Sequence, residues 1–168
     1  MAENLKKEEF VFDTSALISL ATINVIDKIL GFVNVIVTTS VLKELEEFAK
    51  FSDNYGKAGK EVLKRKAGFA VIAADAKETI KFVGKTDNEL YNLAREKKLV
   101  LVTDDVKFSR QVEGKIETRF SVFFVIALAA SGTMLKEEAL GLLETLRDLR
   151  NWRSNTRVVP CPRRLQPK

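Results

Sequence analysis

The strongest constraint on this chain is an alternation: short apolar runs of strand length are each followed by a stretch with helical periodicity. Phe10 to Phe12 is a continuous apolar triplet, and Ala16 to Leu30 then carries Leu17, Ile18, Leu20, Ala21, Ile26, Ile29 and Leu30 in a helical arrangement. VNVIVTTS, Val33 to Ser40, reads as a second strand, with Thr39 and Ser40 placed to cap a helix VLKELEEFAK that runs to Lys50. A helix over Phe51 to Lys66, broken near Asp53 and Asn54, precedes a third strand, GFAVIAA, from Gly68 to Ala74. Thr86 to Glu89 has the T-x-x-E form of a capping box, opening a helix that carries Leu90, Tyr91, Leu93 and Ala94. KKLVLVTDD supplies a fourth strand, Leu99 to Val102, and a fifth is expected near Ile116 to Arg119. The helices Val122 to Ala130 and Met134 to Arg150 follow. Strands without polar alternation are covered on both faces, and strand-then-helix order builds parallel sheets. The expected fold is a three-layer α/β/α domain around a central, mainly parallel sheet of four to five strands.

With 168 residues, 46% of them hydrophobic, the chain suits one domain, expected over 1–150, followed by a basic tail over 151–168. It has no histidine and only Cys161, which excludes a disulfide framework, a Cys/His zinc site and a histidine proton shuttle. Chemistry is left to carboxylates, hydroxyls, Lys, Arg or a hard metal ion. MAENLKKEEF has no leader pattern, and the apolar run VFFVIALAA is far short of the roughly 20 residues of a membrane span, so a cytoplasmic location without membrane insertion is expected. The net charge of +5 is concentrated at the end: Arg147 to Lys168 holds seven Lys and Arg against one acid, and the rest is close to neutral. Arg150, Trp152, Arg153, Arg163 and Arg164 there combine cations with an aromatic ring, as expected of a segment that meets phosphates and bases, or equally of a solubilising tail.

Two strands end in aspartate. In parallel sheets ligands bind beyond the carboxyl ends of the strands, so Asp13 and Asp104/Asp105 are expected on one edge, where their repulsion calls for a cation. Taken singly, each has a plainer use: Asp13, Thr14 and Ser15 suit a helix cap, Asp87 a first helical turn, and Asp104 and Asp105 a turn after a strand. On the helix 41–50, Glu47 points away from the apolar face, while Glu44 and Glu46 flank it at about equal angles, so periodicity does not choose between those two.

FVFDTSALISL, VLKELEEF, KTDNELYNLA and LVLVTDD, in that order, resemble the PIN-domain nucleases, including VapC-like toxins: small α/β metal-dependent ribonucleases. The resemblance implies that Asp13, Glu44, Asp87 and one or both of Asp104 and Asp105 are catalytic and hold Mg2+ or Mn2+. It also implies that Thr14, Ser15 and Thr103 orient carboxylates or a metal-bound water. The implied reaction is hydrolysis of an RNA phosphodiester to a 5′-phosphate and a 3′-hydroxyl; a cyclic-phosphate route through a histidine pair is closed to a chain without histidine. Lys107 and Arg110, just beyond Thr-Asp-Asp, are candidates for touching the RNA. Family likeness further implies a homodimer and, if the protein is the toxin of a toxin–antitoxin pair, an antitoxin partner. An RNA-processing nuclease is the other role, and a catalytically silent RNA- or protein-binding module is the alternative.

Overall fold

The computed structural model describes residues 7–81 and 83–150. The strands β1 (Glu9–Phe12), β2 (Asn34–Thr38), β3 (Ala70–Ile72), β4 (Val100–Val102) and β5 (Thr118–Arg119) form one sheet in the order β3-β2-β1-β4-β5. Every neighbouring pair is parallel. Consecutive side chains of a strand point to opposite faces, and Phe10, Val11 and Phe12 are all buried, so helices cover both faces of β1. The architecture is the expected three-layer α/β/α sandwich.

Strand order explains where a cleft can form. From β1 the chain steps outward through β2 to β3, then returns across the sheet to place β4 on the other side of β1. The connections after β1 and after β4 therefore leave in opposite directions, which opens a crevice beyond the carboxyl ends of these two strands. Their register pairs Phe12 with Val102, and the Asp13 amide donates to the Val102 carbonyl at 2.9 Å. Asp13 and Thr103 are thus the first residues past the last pair on adjacent strands.

The helices are α1 (Thr14–Thr22), α2 (Ile26–Phe32), α3 (Thr39–Phe48), α4 (Asn54–Leu63), α5 (Lys85–Lys97), α6 (Val106–Gln111), α7 (Val122–Ala130) and α8 (Lys136–Leu149). The apolar pattern 16–30, read as one helix, is two: Asn24 adopts φ 56, a left-handed conformation that asparagine tolerates better than most residues, and the chain turns there. Helix α3 is capped by Thr38, whose hydroxyl accepts from the Val41 amide at 3.3 Å, one residue before the expected Thr39/Ser40 pair. Helix α5 starts at Lys85, ahead of the expected Thr86–Glu89 box, and Asp87 accepts from the Gly84 amide at 3.2 Å instead.

Phe124 of α7 is fully buried and meets Phe10 and Phe12 with ring centroids 5.2 Å away in each case, so the apolar helix seals one face of β1. Helix α4 lies tightly against the end of α3 and the turn after it: a Cβ added to Gly56 would sit 2.0 Å from the Phe51 carbonyl oxygen and 3.0 Å from that of Phe48, so only glycine allows this approach. The connection from β3 to α5 is tied down by two buried asparagines of α5. Asn88 accepts from the Ile80 amide at 2.6 Å and donates to the Gly84 carbonyl at 2.9 Å. Asn92 accepts from the Glu78 amide at 3.0 Å and donates to the Glu78 carbonyl at 2.8 Å. These bonds fix the first turn of α5, and with it Asp87.

Candidate active site

A cavity of about 320 Å3 opens at the crevice, and its lining includes Asp13, Glu44, Asp87 and Asp105. Each arrives from a different element. Asp13 ends β1, Glu44 lies midway along α3, Asp87 is in the first turn of α5 and Asp105 precedes α6. On α3, Val41 and Leu45 are buried; Glu44, next to that stripe, is half-buried, while Glu46 and Glu47 are exposed. The choice that periodicity left open therefore falls on Glu44.

The four carboxylates share one arrangement: a single oxygen of each is held by the protein. Asp13 Oδ2 accepts from Ser15 Oγ at 2.6 Å and from Thr103 Oγ1 at 2.7 Å. Glu44 Oε2 accepts from Thr14 Oγ1 at 2.7 Å. Asp87 Oδ2 takes the Gly84 amide, and Asp105 Oδ1 takes the amides of Lys107 and Phe108 at 2.8 and 3.0 Å. The second oxygen of each has no hydrogen bond from the described residues. The hydroxyls of Thr14, Ser15 and Thr103 thus each donate to one of two acids, Glu44 and Asp13. Although Asp13 occupies the N-cap position of α1, its carboxylate makes no capping bond.

Burial pushes the Asp13 carboxyl up from 3.8 to about 6, against the lowering effect of the Ser15 and Thr103 hydroxyls, with the charges of Asp87 and Glu44 adding to the rise. Asp87 is raised as well, first by burial and then by Asp105 and Glu44, while the Gly84 amide opposes. The acids therefore repel one another across the cavity.

Asp104 stands apart from this group and is not in the cavity lining. Its Oδ1 accepts from the Ser121 amide at 2.8 Å, and its Oδ2 accepts from Ser121 Oγ at 2.7 Å and from Ser19 Oγ. Arg150 Nε lies 3.6 Å away. Both oxygens are committed, in a largely buried network joining α1, the start of α7 and the end of α8. Arg150 also donates to Ser19 Oγ at 2.7 Å and to the Ser15 carbonyl, and it contributes to the cavity wall.

Lys107 and Arg110 are exposed on α6, outside the cavity lining. Trp152, Arg153, Arg163 and Arg164 lie outside the described residues. Sequence reading passed over Ser19 and Ser121, which hold Asp104, and over Tyr55, which stands in the cavity wall; Phe48, expected on the buried face of its helix, is 37% exposed and lines the same wall.

The donor set consists of carboxylate oxygens alone, one uncommitted on each acid, which suits a hard divalent cation. Among the described residues, however, no group of three or more acids is arranged to hold a metal ion as it stands. Magnesium-like ions retain several waters and need only one or two direct carboxylates, so the residues fit such an ion without a closed cage.

No curated protein matches the sequence. Among solved structures, PAE2754 from Pyrobaculum aerophilum is similar with a TM-score of 0.56 and 21% identity, over 73% of this chain and 98% of that one. A domain of a functionally unknown protein from Methanocaldococcus jannaschii DSM 2661 has a TM-score of 0.49 and 21% identity, over 67% of this chain and 90% of that one. At this identity the first shows a shared fold. The family model DUF3368, PIN domain, matches residues 9–165, nearly the whole sequence and all the acids of the cavity. The chain belongs to this PIN-domain family, whose members are generally nucleases that use divalent metal ions.

Proposed function

We propose that the protein is a Mg2+- or Mn2+-dependent endoribonuclease whose active site is the acidic cavity. The observation that carries this reading is the set of four carboxylates from four elements, each pinned through one oxygen with the other uncommitted. A structural ion-pair network would commit both oxygens, and the cation in the cavity wall, Arg150, is turned to Ser19, the Ser15 carbonyl and Asp104 instead. A divalent ion supplies what phosphodiester hydrolysis needs here, charge neutralisation and an acidified water. Asp13, Glu44, Asp87 and Asp105 are the residues that would hold it, directly or through water. Ser15, Thr103 and Thr14 keep Asp13 and Glu44 from rotating, so the acids meet the ion at little cost in side-chain entropy. Of the two aspartates after β4, the reading takes Asp105 as the metal-binding one and Asp104 as structural.

The substrate is RNA in the cytoplasm, and the protein works as a homodimer, either as a toxin restrained by an antitoxin or as a processing nuclease. No single helix among the described residues is long and apolar enough to cross a membrane. The test is cleavage of structured RNA by the wild type, Asp13→Asn and Glu44→Gln in Mn2+ and in EDTA. Cleavage that needs Mn2+ and both acids supports the reading. Undiminished cleavage by Asp13→Asn sinks the site, and RNA binding without cleavage in either condition marks a silent binding module.

A further inference from the structure

The acidic cavity has a cation in its wall. Arg150, the C-cap of α8, lines it together with the four acids, and 16% of its side chain is exposed. A positive charge beside a site for a divalent ion works against the ion, so by charge alone Arg150 is misplaced. Its hydrogen bonds give it another use. Nε donates to Ser19 Oγ at 2.7 Å, Nη2 donates to the Ser15 carbonyl, and Asp104 Oδ2 lies 3.6 Å from Nε. The guanidinium thus spans Ser15 and Ser19, one turn apart on α1, the helix that Asp13 opens.

Ser15 is held at both ends. Its carbonyl takes Arg150, and its hydroxyl accepts from the Asp104 amide at 3.0 Å while donating to Asp13 Oδ2 at 2.6 Å. The Asp104 carboxylate accepts from the Ser19 hydroxyl, which in turn accepts from Arg150, so the bonds close into a ring through Arg150, Ser15, Asp104 and Ser19. A hydroxyl has one proton. With a lone pair of Ser15 Oγ taken by the Asp104 amide, its proton is directed at Asp13. Thr103, whose hydroxyl accepts from the Asp105 amide at 3.1 Å, directs its own proton to the same oxygen at 2.7 Å. The two hydroxyls are 3.3 Å apart, farther than either is from the carboxylate. Asp13 is therefore held with Oδ2 committed, which leaves Oδ1 as its oxygen for an ion.

We propose that Arg150 is a positioning residue for the metal-binding oxygen of Asp13, acting through Ser15, so that the end of α8 completes a site whose acids come from β1, α3, α5 and the turn after β4. The proposal rests on the nuclease reading for the ion and goes beyond it in giving the cation of the wall a role. Partners that orient a ligand from behind tune metal affinity without touching the metal. Arginine suits the position because its planar fork reaches two acceptors at once and stays charged beside Asp104. Bonds linked in a closed network strengthen one another, so losing Arg150 at the carbonyl end of Ser15 loosens the hydroxyl end as well.

The sign of the effect separates this role from plain electrostatics. Removing a positive charge from the wall, and leaving Asp104 uncompensated, raises affinity for a divalent cation if charge alone matters. A positioning role predicts the opposite.

The test is the Mn2+ affinity of the full chain, read from the electron paramagnetic resonance signal of the free ion, well below the melting temperature of each variant. Arg150→Met keeps the stem and removes the donors, and it should bind Mn2+ about tenfold more weakly, the low end for loss of an outer-shell partner. Arg150→Lys keeps the charge beside Asp104, and with it the fold, but cannot reach Ser15 and Ser19 together; binding about threefold weaker is expected. Leu146→Val loosens the packing of α8, where Leu146 is buried, and leaves the ring of bonds intact, so it should bind Mn2+ as the wild type does. In an Asp13→Asn background, Arg150→Met should change the affinity by less than about twofold, because the ligand it positions is gone. Equal or tighter Mn2+ binding by Arg150→Met overturns the proposal, as does a weakening that Leu146→Val reproduces or that persists in Asp13→Asn. Should Arg150→Met not fold, wild-type affinity in Arg150→Lys overturns it. A wild type that binds no Mn2+ overturns the nuclease reading and the proposal together, whereas Mn2+ binding that needs Asp13 and ignores Arg150 overturns the proposal alone.

Discussion

Asp104 and Asp105 are neighbours in sequence and opposites in structure. Asp104 has both oxygens committed to Ser19, Ser121 and the nearby Arg150, inside the protein. Asp105 gives one oxygen to two amides of α6 and turns the other toward a cavity it shares with three further acids. The first is a charge whose electrostatic needs the fold has already met. The second belongs to a group of acids whose remaining oxygens have no hydrogen bond from the described residues. A carboxylate's role is thus legible from whether its second oxygen has a partner, more than from its burial or its motif.

The sharpest way to break the comparison is to neutralise one acid on each side and read activity and stability together. Asp13→Asn is expected to lower the turnover of RNA cleavage by about 10³-fold, the size of effect seen when a group stabilising transition-state charge is lost. Its fold should survive, because an amide oxygen still accepts from Ser15 and Thr103. Asp105→Asn should follow the same pattern with a smaller loss. If Asp104→Asn cut activity as deeply as Asp105→Asn while leaving the melting temperature unchanged, the division between the two aspartates would be wrong.

On the closed side, Asp104→Ala should cost about 3 kcal/mol of stability, because it removes the carboxylate beside the largely buried Arg150 guanidinium and takes the acceptor from the Ser121 amide and the Ser121 and Ser19 hydroxyls. Urea unfolding measures this. The loss should propagate to α8, whose end Arg150 ties to α1, and hydrogen exchange along 136–149 would register it. An Asp104→Ala protein as stable as the wild type would show that the network contributes nothing net.

The acidic side makes a prediction about pH. Asp13 titrates near 6 in the folded protein and near 3.8 when unfolded, so between those values the folded chain holds more protons than the unfolded one. Stability from this group is therefore full at low pH, falls as pH rises through the window, and is lost above about 6. The metal-free protein should lose up to roughly 3 kcal/mol across that window through Asp13, and Asp13→Asn should remove the slope. Comparing wild type with the variant cancels Asp27 and Glu61, which Arg65 and Lys64 shift downward. Added Mn2+ at neutral pH should recover stability in the wild type and do less in Asp13→Asn. Metal-free stability that rises with pH through this window, relative to the variant, would contradict the buried, repelled state of Asp13.

The layer order, the parallel sheet and the convergence of Asp13 with the Thr103 turn were legible because they follow from strand ends and crossover geometry, which a linear pattern records. Glu44 was separable from Glu46 only once α3 had a partner to bury Val41 and Leu45 against. The distinction between Asp104 and Asp105 depended on Ser19 and Ser121, residues distant in sequence with no motif of their own, and on the last residue of the described C-terminal segment. The break at Asn24 was hidden because the apolar residues on both sides of it keep a helical spacing, while the turn itself is a single backbone conformation. Local pattern carried the elements, and long-range hydrogen bonding decided what the side chains do.

The finest distinction concerns the hydroxyls that pin the open acids. Thr14 Oγ1 donates to Glu44 Oε2 across the gap between α1 and α3, and its neighbour Ser15 holds Asp13. Thr14→Val keeps the shape of the buried side chain and removes only the bond to Glu44. Because the far oxygen of Glu44 already faces the cavity, the carboxylate can take up water when the bond is lost, and stability should change by no more than about 1 kcal/mol. Activity should fall further than that implies, by about tenfold at low metal concentration, since Glu44 would then sample rotamers that do not face the ion. The loss should shrink as Mn2+ is raised, because the ion itself selects the productive rotamer. A defect in Thr14→Val that is the same at all metal concentrations would mean that the hydroxyl acts on the RNA or the water, and that pinning the acid is not its purpose.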